Sequence, residues 1–566
     1  MLGPLRFAHL LAILLLVGFC ARLAYVLGQA ASDPAFALPI LDGAYYVEWA
    51  RSLAEGRAGP LGGHPGESGN AFYLAPLYPL FLAGFMRVFG ENYALIYYAQ
   101  QLLMILSAAF IGLAGRRLSG EWAGLAAAAL WLAYHPSMFF ASRPVGEALA
   151  IVLLAGALLL RSRPVPQSAG LAGLLCGVAT LARPNLLLVA VAWTLDGLSR
   201  RRWKCAGLIV AGVVVALLPT LARNLAVSGH PVPVSANGGM TLYHGNAPGA
   251  RGIGWFARGL SGRLSEQQAE ATRLAAFFEG REVDAVEADR WWGRRAVRAR
   301  LDDPGGSLQL VARRLALIFS NEELSLDYAP ALDVRPWRWL APVPFALLIG
   351  LAGAGLFLCG VAGSGERTVW GAAAACAFTP LAFYVSSRYR LPLAAVLCIP
   401  AGAGLAALAS REFAPWRRGA ALAIVAAIVV LSVFSPTGGL DGTSEAAARA
   451  NRAAAWMKTG NPVRAEADLK RALEIDPDSV PALARLAALL EGEGRGAEVD
   501  EYYRRALAEH PATPAERWTD TVLGRVGAGD LPAAGRAAER ARRDGVELDP
   551  ELLERIEEAI EGAKTR

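Results

Sequence analysis

Charge is what this chain has least of. Of 566 residues, 18% are Asp, Glu, Lys or Arg against 54% hydrophobic, and histidine and methionine number six each. Soluble domains carry nearer a quarter charged residues. With a mean hydropathy of +0.35, this shortage excludes a disordered or fibrous chain and argues against a wholly soluble enzyme. Cysteine is also sparse: Cys20, Cys176, Cys205, Cys359, Cys376 and Cys398 all lie in or beside apolar segments. None has CxxC spacing, so neither a zinc site nor a disulfide framework is supported; they read as small buried hydrophobes. Glycine-rich phosphate loops, HExxH and Gly-x-Ser-x-Gly are absent as well, which leaves a soluble nucleotide-sugar or ATP mechanism without support. No basic run is interleaved with stacking aromatics, so the sequence pI of 9.0 implies no nucleic-acid partner.

What the sequence does have is apolar length. A bilayer span needs roughly 17–25 mostly apolar residues. Candidates stand at about 5–27, 95–115, 122–141, 146–160, 169–183, 185–198, 205–223, 339–361, 369–386, 391–410 and 419–435, about eleven spans in all. The first has the charged start of a signal peptide, but its apolar run is too long for a signal core and reads as an uncleaved anchor. The pair at 169–198 is short and broken by Pro184, as in a helical hairpin that does not fully cross. With the N-terminus in the cytoplasm, the cytoplasmic loops hold Arg116, Arg117, Arg161, Arg163, Arg200, Arg201, Arg202, Lys204, Arg367, Arg411, Arg417 and Arg418, as the Lys/Arg bias requires. The large loops at 28–94 and 224–338 then lie outside. Segments 75–85 and 308–319 read as helices on the outer surface, the second because Arg313 and Arg314 interrupt it.

From Asp441 onward 25 acids face 19 bases, out of 49 and 55 in the whole chain. The basic excess therefore belongs to the apolar part, and the remainder is acidic. This acidic part repeats with a period of 34: Gly460 recurs as Gly494, Ala472-Leu473 as Ala506-Leu507, and Pro477 as Pro511. That is the tetratricopeptide period, two helices per repeat. The expected organisation is a membrane domain over 1–435, a linker over 436–445 and a tetratricopeptide α-solenoid over 446–566 on the outer, periplasmic side, suited to binding a protein partner. The fold class is all-α.

Few residues are placed to do chemistry. Asp42 follows the first span and precedes the Tyr45-Tyr46 pair. It reads equally as a general base at the membrane surface and as a helix N-cap. Glu147 opens an apolar helix, as a dipole-stabilising acid or a second active-site acid. Arg388 and Arg390 stand in a short outer loop where positive charge is disfavoured, and two guanidinium groups there suit a phosphate. Arg143, Arg183 and Arg223 also mark outer ends of spans. In the large loop, Asn237-Gly238-Gly239 and Gly245-Asn246 favour tight turns whose small residues let backbone approach a sugar.

In order along the chain stand an outer-loop acid, Pro76-Leu77-Tyr78-Pro79 with a later Phe89-Gly90, Gly115-Arg116-Arg117-Leu118, Ala182-Arg183-Pro184-Asn185, the Asn237–Asn246 loop and Arg388-Tyr389-Arg390-Leu391-Pro392. Together they resemble the GT-C glycosyltransferases, most of all the bacterial branch similar to dolichyl-phosphate-mannose-protein mannosyltransferases and aminoarabinose transferases. The resemblance covers residues 1–435. It implies a hexosyl- or pentosyltransferase of the bacterial cytoplasmic membrane that moves a sugar from a polyprenyl-phosphate carrier to a protein or glycan acceptor on the outer face. It also implies Asp42 as base and, less securely, Glu147 as a second acid. Arg388, Arg390 and Arg183 would lie at the carrier phosphate, with Tyr45, Tyr46, Asn237 and Asn246 at the substrate. The first site lacks an Asp-x-Asp or Asp-Glu pair, so no bound metal or other cofactor is expected. Two other readings stay open: a polysaccharide ligase of the O-antigen ligase type, and a non-enzymatic transporter or scaffold displaying the repeats.

Overall fold

The computed structural model describes residues 4–57, 62–65, 70–162, 165–254, 260, 264–324, 328, 330, 337, 339–360, 364–434, 440–477, 479–495 and 514–564. Their regular structure is helical, apart from an isolated bridge between Tyr134 and Val343.

The bundle is formed by α1 (Pro4–Ser32), α4 (Tyr93–Ser119), α5 (Glu121–Leu132), α6 (His135–Phe140), α7 (Glu147–Arg161), α8 (Pro166–Thr180), α9 (Leu187–Ser199), α10 (Trp203–Ser228), α15 (Phe345–Cys359), α16 (Ser364–Ala382), α17 (Ser387–Ala409) and α18 (Pro415–Val433). Each stretch expected to span contains a helix, though 122–141 holds two, α5 and α6, and the helix in 339–361 begins only at Phe345. Among the described residues five helices, α1, α4, α10, α17 and α18, are long and apolar enough to cross a membrane by themselves. At about 1.5 Å per residue, the 27 residues of α4 reach beyond the ~30 Å hydrocarbon core. Apart from α16, with 19 residues, the others are shorter, and local features break the chain at two places. After α5 the backbone turns at Ala133, whose carbonyl accepts from the Val343 amide at 3.1 Å. Pro184 opens a 3-10 turn between α8 and α9, and α9 has only 13 residues.

Helix α17 is the centre, with 83% of its apolar window buried. Close approach depends on small residues, as between membrane helices generally. A Cβ on Gly404 would stand 2.2 Å from the Leu351 carbonyl, and one on Gly355 2.2 Å from that of Pro400, so α15 and α17 meet backbone to backbone.

One side of the bundle carries α2 (Leu41–Ala54), α3 (Leu77–Phe89), α11 (Gly238–Asn246), α12 (Leu264–Glu279), α13 (Ala285–Asp302) and α14 (Pro304–Phe319). The segments expected as surface helices are α3 and α14. Arg314 in α14 is buried and donates to the carbonyls of Gly245, Leu381 and Ala382 and to Asn246 Oδ1. These carbonyls lie at the C-terminal ends of α11 and α16, where a cation complements the helix dipole.

The turns expected at Asn237–Asn246 are instead the helix α11, with Asn237 at its N-cap. Its glycines serve close packing rather than turning. A Cβ on Gly239 would fall 1.8 Å from the Asp289 carbonyl, and one on Gly245 1.8 Å from that of Phe383.

Beyond the bundle lie α19 (Leu440–Lys458), α20 (Pro462–Ile475), α21 (Val480–Gly492), α22 (Pro514–Gly527), α23 (Leu531–Arg543) and α24 (Pro550–Lys564). Helix α19 already begins inside the stretch expected as a linker; 436–439 lie outside the described residues. The recurring Gly460 and Gly494 both adopt positive φ, 72° and 73°, each just past the end of a helix, where glycine is favoured. The second copy of the repeat's later helix, 502–511, lies outside the described residues.

Helices α19, α20 and α21 share an apolar core that includes Ala450, Leu469 and Leu486. Asp468 accepts from Arg452 Nε at 2.7 Å and Nη2 at 2.5 Å. The array is seated on the helices of this side at two places. Ala455 of α19 joins the main buried cluster and α19 contacts the 3-10 turn at Pro34–Phe36. Helices α22–α24 share one core with α12 and α13, through Leu274, Trp292, Val522, Ala538 and Leu552.

Candidate active site

The first turns of three helices meet on the side of the bundle that carries α2 and α3. After α1 the chain makes the Pro34–Phe36 turn, capped by Asp33 Oδ1 accepting from the Ala35 amide at 2.9 Å. It enters α2 through Leu41 at φ 47°, a left-handed conformation that costs a leucine roughly 1–2 kcal/mol. Two contacts hold it there. The Tyr328 hydroxyl donates to the Ile40 carbonyl at 3.2 Å. Gly43 lets α2 close on its neighbours: a Cβ there would meet Tyr328 Oη at 2.4 Å and Pro144 Cγ at 2.8 Å. Asp42 is thus in the first turn of α2 while Ile40 is the N-cap, so the helix-capping reading of Asp42 does not hold. Glu147 opens α7. Ser386 caps α17 by accepting from the Tyr389 amide at 3.3 Å, which leaves Arg388 in the first turn of α17.

Arg388 joins the two acids. Its Nη1 donates to Asp42 Oδ2 at 2.7 Å and its Nε to Glu147 Oε1 at 2.8 Å. Arg183 pairs with the same oxygen of Glu147. The Glu147 side chain is 2% exposed, Arg388 10%, Arg183 16% and Asp42 25%. Both carboxylates sit at positive helix ends, which favours their charge, whereas Arg388 opposes the dipole of its own helix. Two acids and two guanidinium groups make the quartet neutral overall. A small cleft lies against it, lined by Glu147, Ile151, Arg183, Asn185, Arg388 and Tyr389.

Tyr46 belongs to this environment. Burial pushes its hydroxyl up to about 12, and the charges of Arg183, Asp42 and Arg388 act on it. It remains a neutral hydrogen-bond donor at any working pH.

The remaining candidates lie elsewhere. Tyr45 is buried and stacked on His64, ring centroids 4.0 Å apart. Burial lowers the His64 pKa against the opposing pull of Glu48. Asn237 spends its carbonyl on the Thr241 amide and hydroxyl. Asn246 donates to the Leu242 and Ala382 carbonyls and accepts from Arg314. Arg390 is fully buried and does not join Arg388: it donates to the Ser320 carbonyl at 2.6 Å, the Glu322 carbonyl and Glu323 Oε2 at 2.9 Å, and stacks over Phe345. Arg143 pairs with Asp33 at 2.5 Å, and Arg223 donates to the Asn70 carbonyl. Among the described residues no group of three or more His, Cys, Asp or Glu side chains is placed to hold a metal ion.

Several residues that shape the site carried no signal of their own: Gly43 and Tyr328, which fix α2, and Asn185 and Tyr389, which line the cleft. Asn185 and Tyr389 are sequence neighbours of the arginines already singled out. Tyr328 had no such marker.

Residues 73–223 match the family of dolichyl-phosphate-mannose-protein mannosyltransferases. The matched segment contains Glu147 and Arg183 but neither Asp42 nor Arg388. No curated relative matches the chain. Among solved structures, ArnT from Cupriavidus metallidurans bound to undecaprenyl phosphate aligns at 15% identity over 97% of this chain and 84% of that one, with a TM-score of 0.37. The Archaeoglobus fulgidus oligosaccharyltransferase, tethered with an acceptor peptide containing the NVT sequon, aligns at 13% identity over 83% of this chain and 59% of that one, with a TM-score of 0.36. The family match, together with the apolar helices, supports a multi-pass membrane glycosyltransferase.

Proposed function

We propose that the chain transfers a hexosyl or pentosyl group from a polyprenyl-phosphate carrier to a protein or glycan acceptor, at the outer face of a bacterial cytoplasmic membrane. The observation that carries this reading is the meeting of Asp42 and Glu147, from separate segments, on the Arg388 guanidinium beside Arg183. An acid able to take a proton thus stands next to cations able to hold a phosphate. The family name attached to residues 73–223 supports a lipid-phosphate donor and a hydroxyl acceptor.

In this mechanism the acceptor hydroxyl oxygen attacks the anomeric carbon from the face opposite the phosphate. The bond from that carbon to the phosphate oxygen breaks, and the phosphate leaves with the bonding pair. Asp42 takes the hydroxyl proton, and Arg388 with Arg183 stabilises the charge that develops on the phosphate. Glu147, shared by both arginines, fixes their position. Arg390 has no part in phosphate binding here, because it is fully buried and both its Nη groups are committed to the segment 320–323. The N-terminus is cytoplasmic and the C-terminal helices, a tetratricopeptide-like array, lie outside with the large loops. Their packing on α12, α13 and the Pro34–Phe36 turn favours a common side.

Membranes carrying Asp42→Asn and supplied with a labelled polyprenyl-phosphate sugar test the assignment. Transfer is expected to fall by about 10²–10⁴-fold; undiminished transfer by the folded variant would overturn the role of Asp42.

A further inference from the structure

The quartet is closed on itself. Arg388 gives one donor edge to each acid: Nε to Glu147 and Nη1 to Asp42. A phosphate that takes either of these two donors of Arg388 must therefore displace a carboxylate. The two acids are not equally displaceable. Glu147 is 2% exposed and is held by Arg183 as well. Asp42 is 25% exposed, at the edge of the site, and among the described residues its side chain bonds to Arg388 alone. Asp42 is the acid that yields. Its carboxylate is also the group that would receive the acceptor's proton, and Oδ2 is less available for that while it accepts from Arg388.

We propose that Asp42 and the carrier phosphate compete for Arg388, so that binding of the lipid-phosphate donor releases the Asp42 carboxylate for use as the base. This inference rests on the assignment of Arg388 to the carrier phosphate. The pair is a latch. Without donor, Asp42 is engaged and the neutral quartet admits no stray proton acceptor. With donor, the phosphate takes the Nη1 edge, aided by the positive end of α17, and Asp42 turns to the acceptor hydroxyl. Base and leaving-group clamp are then armed by one event.

The latch makes an unusual demand: removing the base's charge tightens the carrier. Farnesyl phosphate, a short prenyl monophosphate with no sugar to transfer, is titrated into the purified full chain in detergent. Wild type, Asp42→Asn, Asp42→Ser and Arg388→Ala are compared, with thermal unfolding as a check on folding. The expected result is binding roughly three- to tenfold tighter to Asp42→Asn and Asp42→Ser, the effect of freeing a partly buried guanidinium from one carboxylate, and much weaker binding to Arg388→Ala. Equal or weaker binding to both folded Asp42 variants, with Arg388→Ala still impaired, overturns the latch and leaves the donor assignment standing. Unchanged binding to Arg388→Ala, or no binding to wild type, overturns the donor assignment and the latch with it.

Discussion

Gly43 and Arg390 give opposite lessons at the scale of single residues. Gly43 touches no substrate, yet Asp42 reaches Arg388 only because α2 closes on Tyr328 and Pro144. Gly43→Ala would place a Cβ 2.4 Å from Tyr328 Oη and push α2 outward. A shift of about 1 Å is expected to cost on the order of 10²-fold in transfer with only a modest loss of stability, read by comparing activity and unfolding temperature. Arg390 behaves in reverse. Arg390→Gln leaves Glu323, 13% exposed, without its cation. Breaking a buried pair costs about 3–5 kcal/mol, so a lowered unfolding temperature is expected, with farnesyl phosphate affinity of the folded fraction unchanged. In the sequence Arg388 and Arg390 looked equivalent. Two residues along a helix turn roughly 200° about its axis, which sends one to Asp42 and Glu147 and the other to 320–323. Only the identity of those distant partners decides between them, and no local pattern encodes it.

At the scale of elements, apolar length located the bundle helices well, because burial in hydrocarbon demands it. The loop helices α11–α13 were less legible. The Gly and Asn content of α11 mimics a turn, and its glycines are explained only by backbone pressed against α13 and the end of α16. Helix α13 did carry a local sign, the Asp284–Glu287 capping box, ahead of alanines and tryptophans at helical spacing. Packing of α11 has a measurable consequence. Burial holds His244 at about 4, against ~6.5 in the unfolded chain. The unfolded state therefore binds the proton more readily between these values. Stability contributed by neutral His244 is complete above about 6.5, falls as pH drops toward 4, and changes no further below. Unfolding measured at pH 7, 5.5 and 4 in wild type and His244→Gln is expected to show a shallower dependence in the variant across that window.

For the molecule as a whole, the 34-residue period indicated an appended array of helices but not where it rests. Its seats are formed by segments remote in sequence: α19 against the Pro34–Phe36 turn, and α22–α24 against α12 and α13. Charge separation marked two parts of opposite sign, and the core holding Leu274, Trp292, Val522 and Leu552 belongs to both. A chain ending at residue 434 would expose half of that core. Faster amide exchange and easier proteolysis are expected across α12 and α13, while the bundle helices keep their protection; unchanged protection in α12 and α13 would show that the loop stands without the array.

That shared core also fixes an order of events in synthesis. Helices α12 and α13 leave the ribosome long before the helices that complete their packing, with α15–α18 still to be inserted between. Until α22–α24 arrive, α12 and α13 hold exposed tryptophan and leucine and are a substrate for chaperones and proteases. Maturation of the enzyme is therefore governed by its most distal helices, and a nascent chain interrupted after α18 would be recognised as unfinished even with every residue of the Asp42–Arg388 site already made.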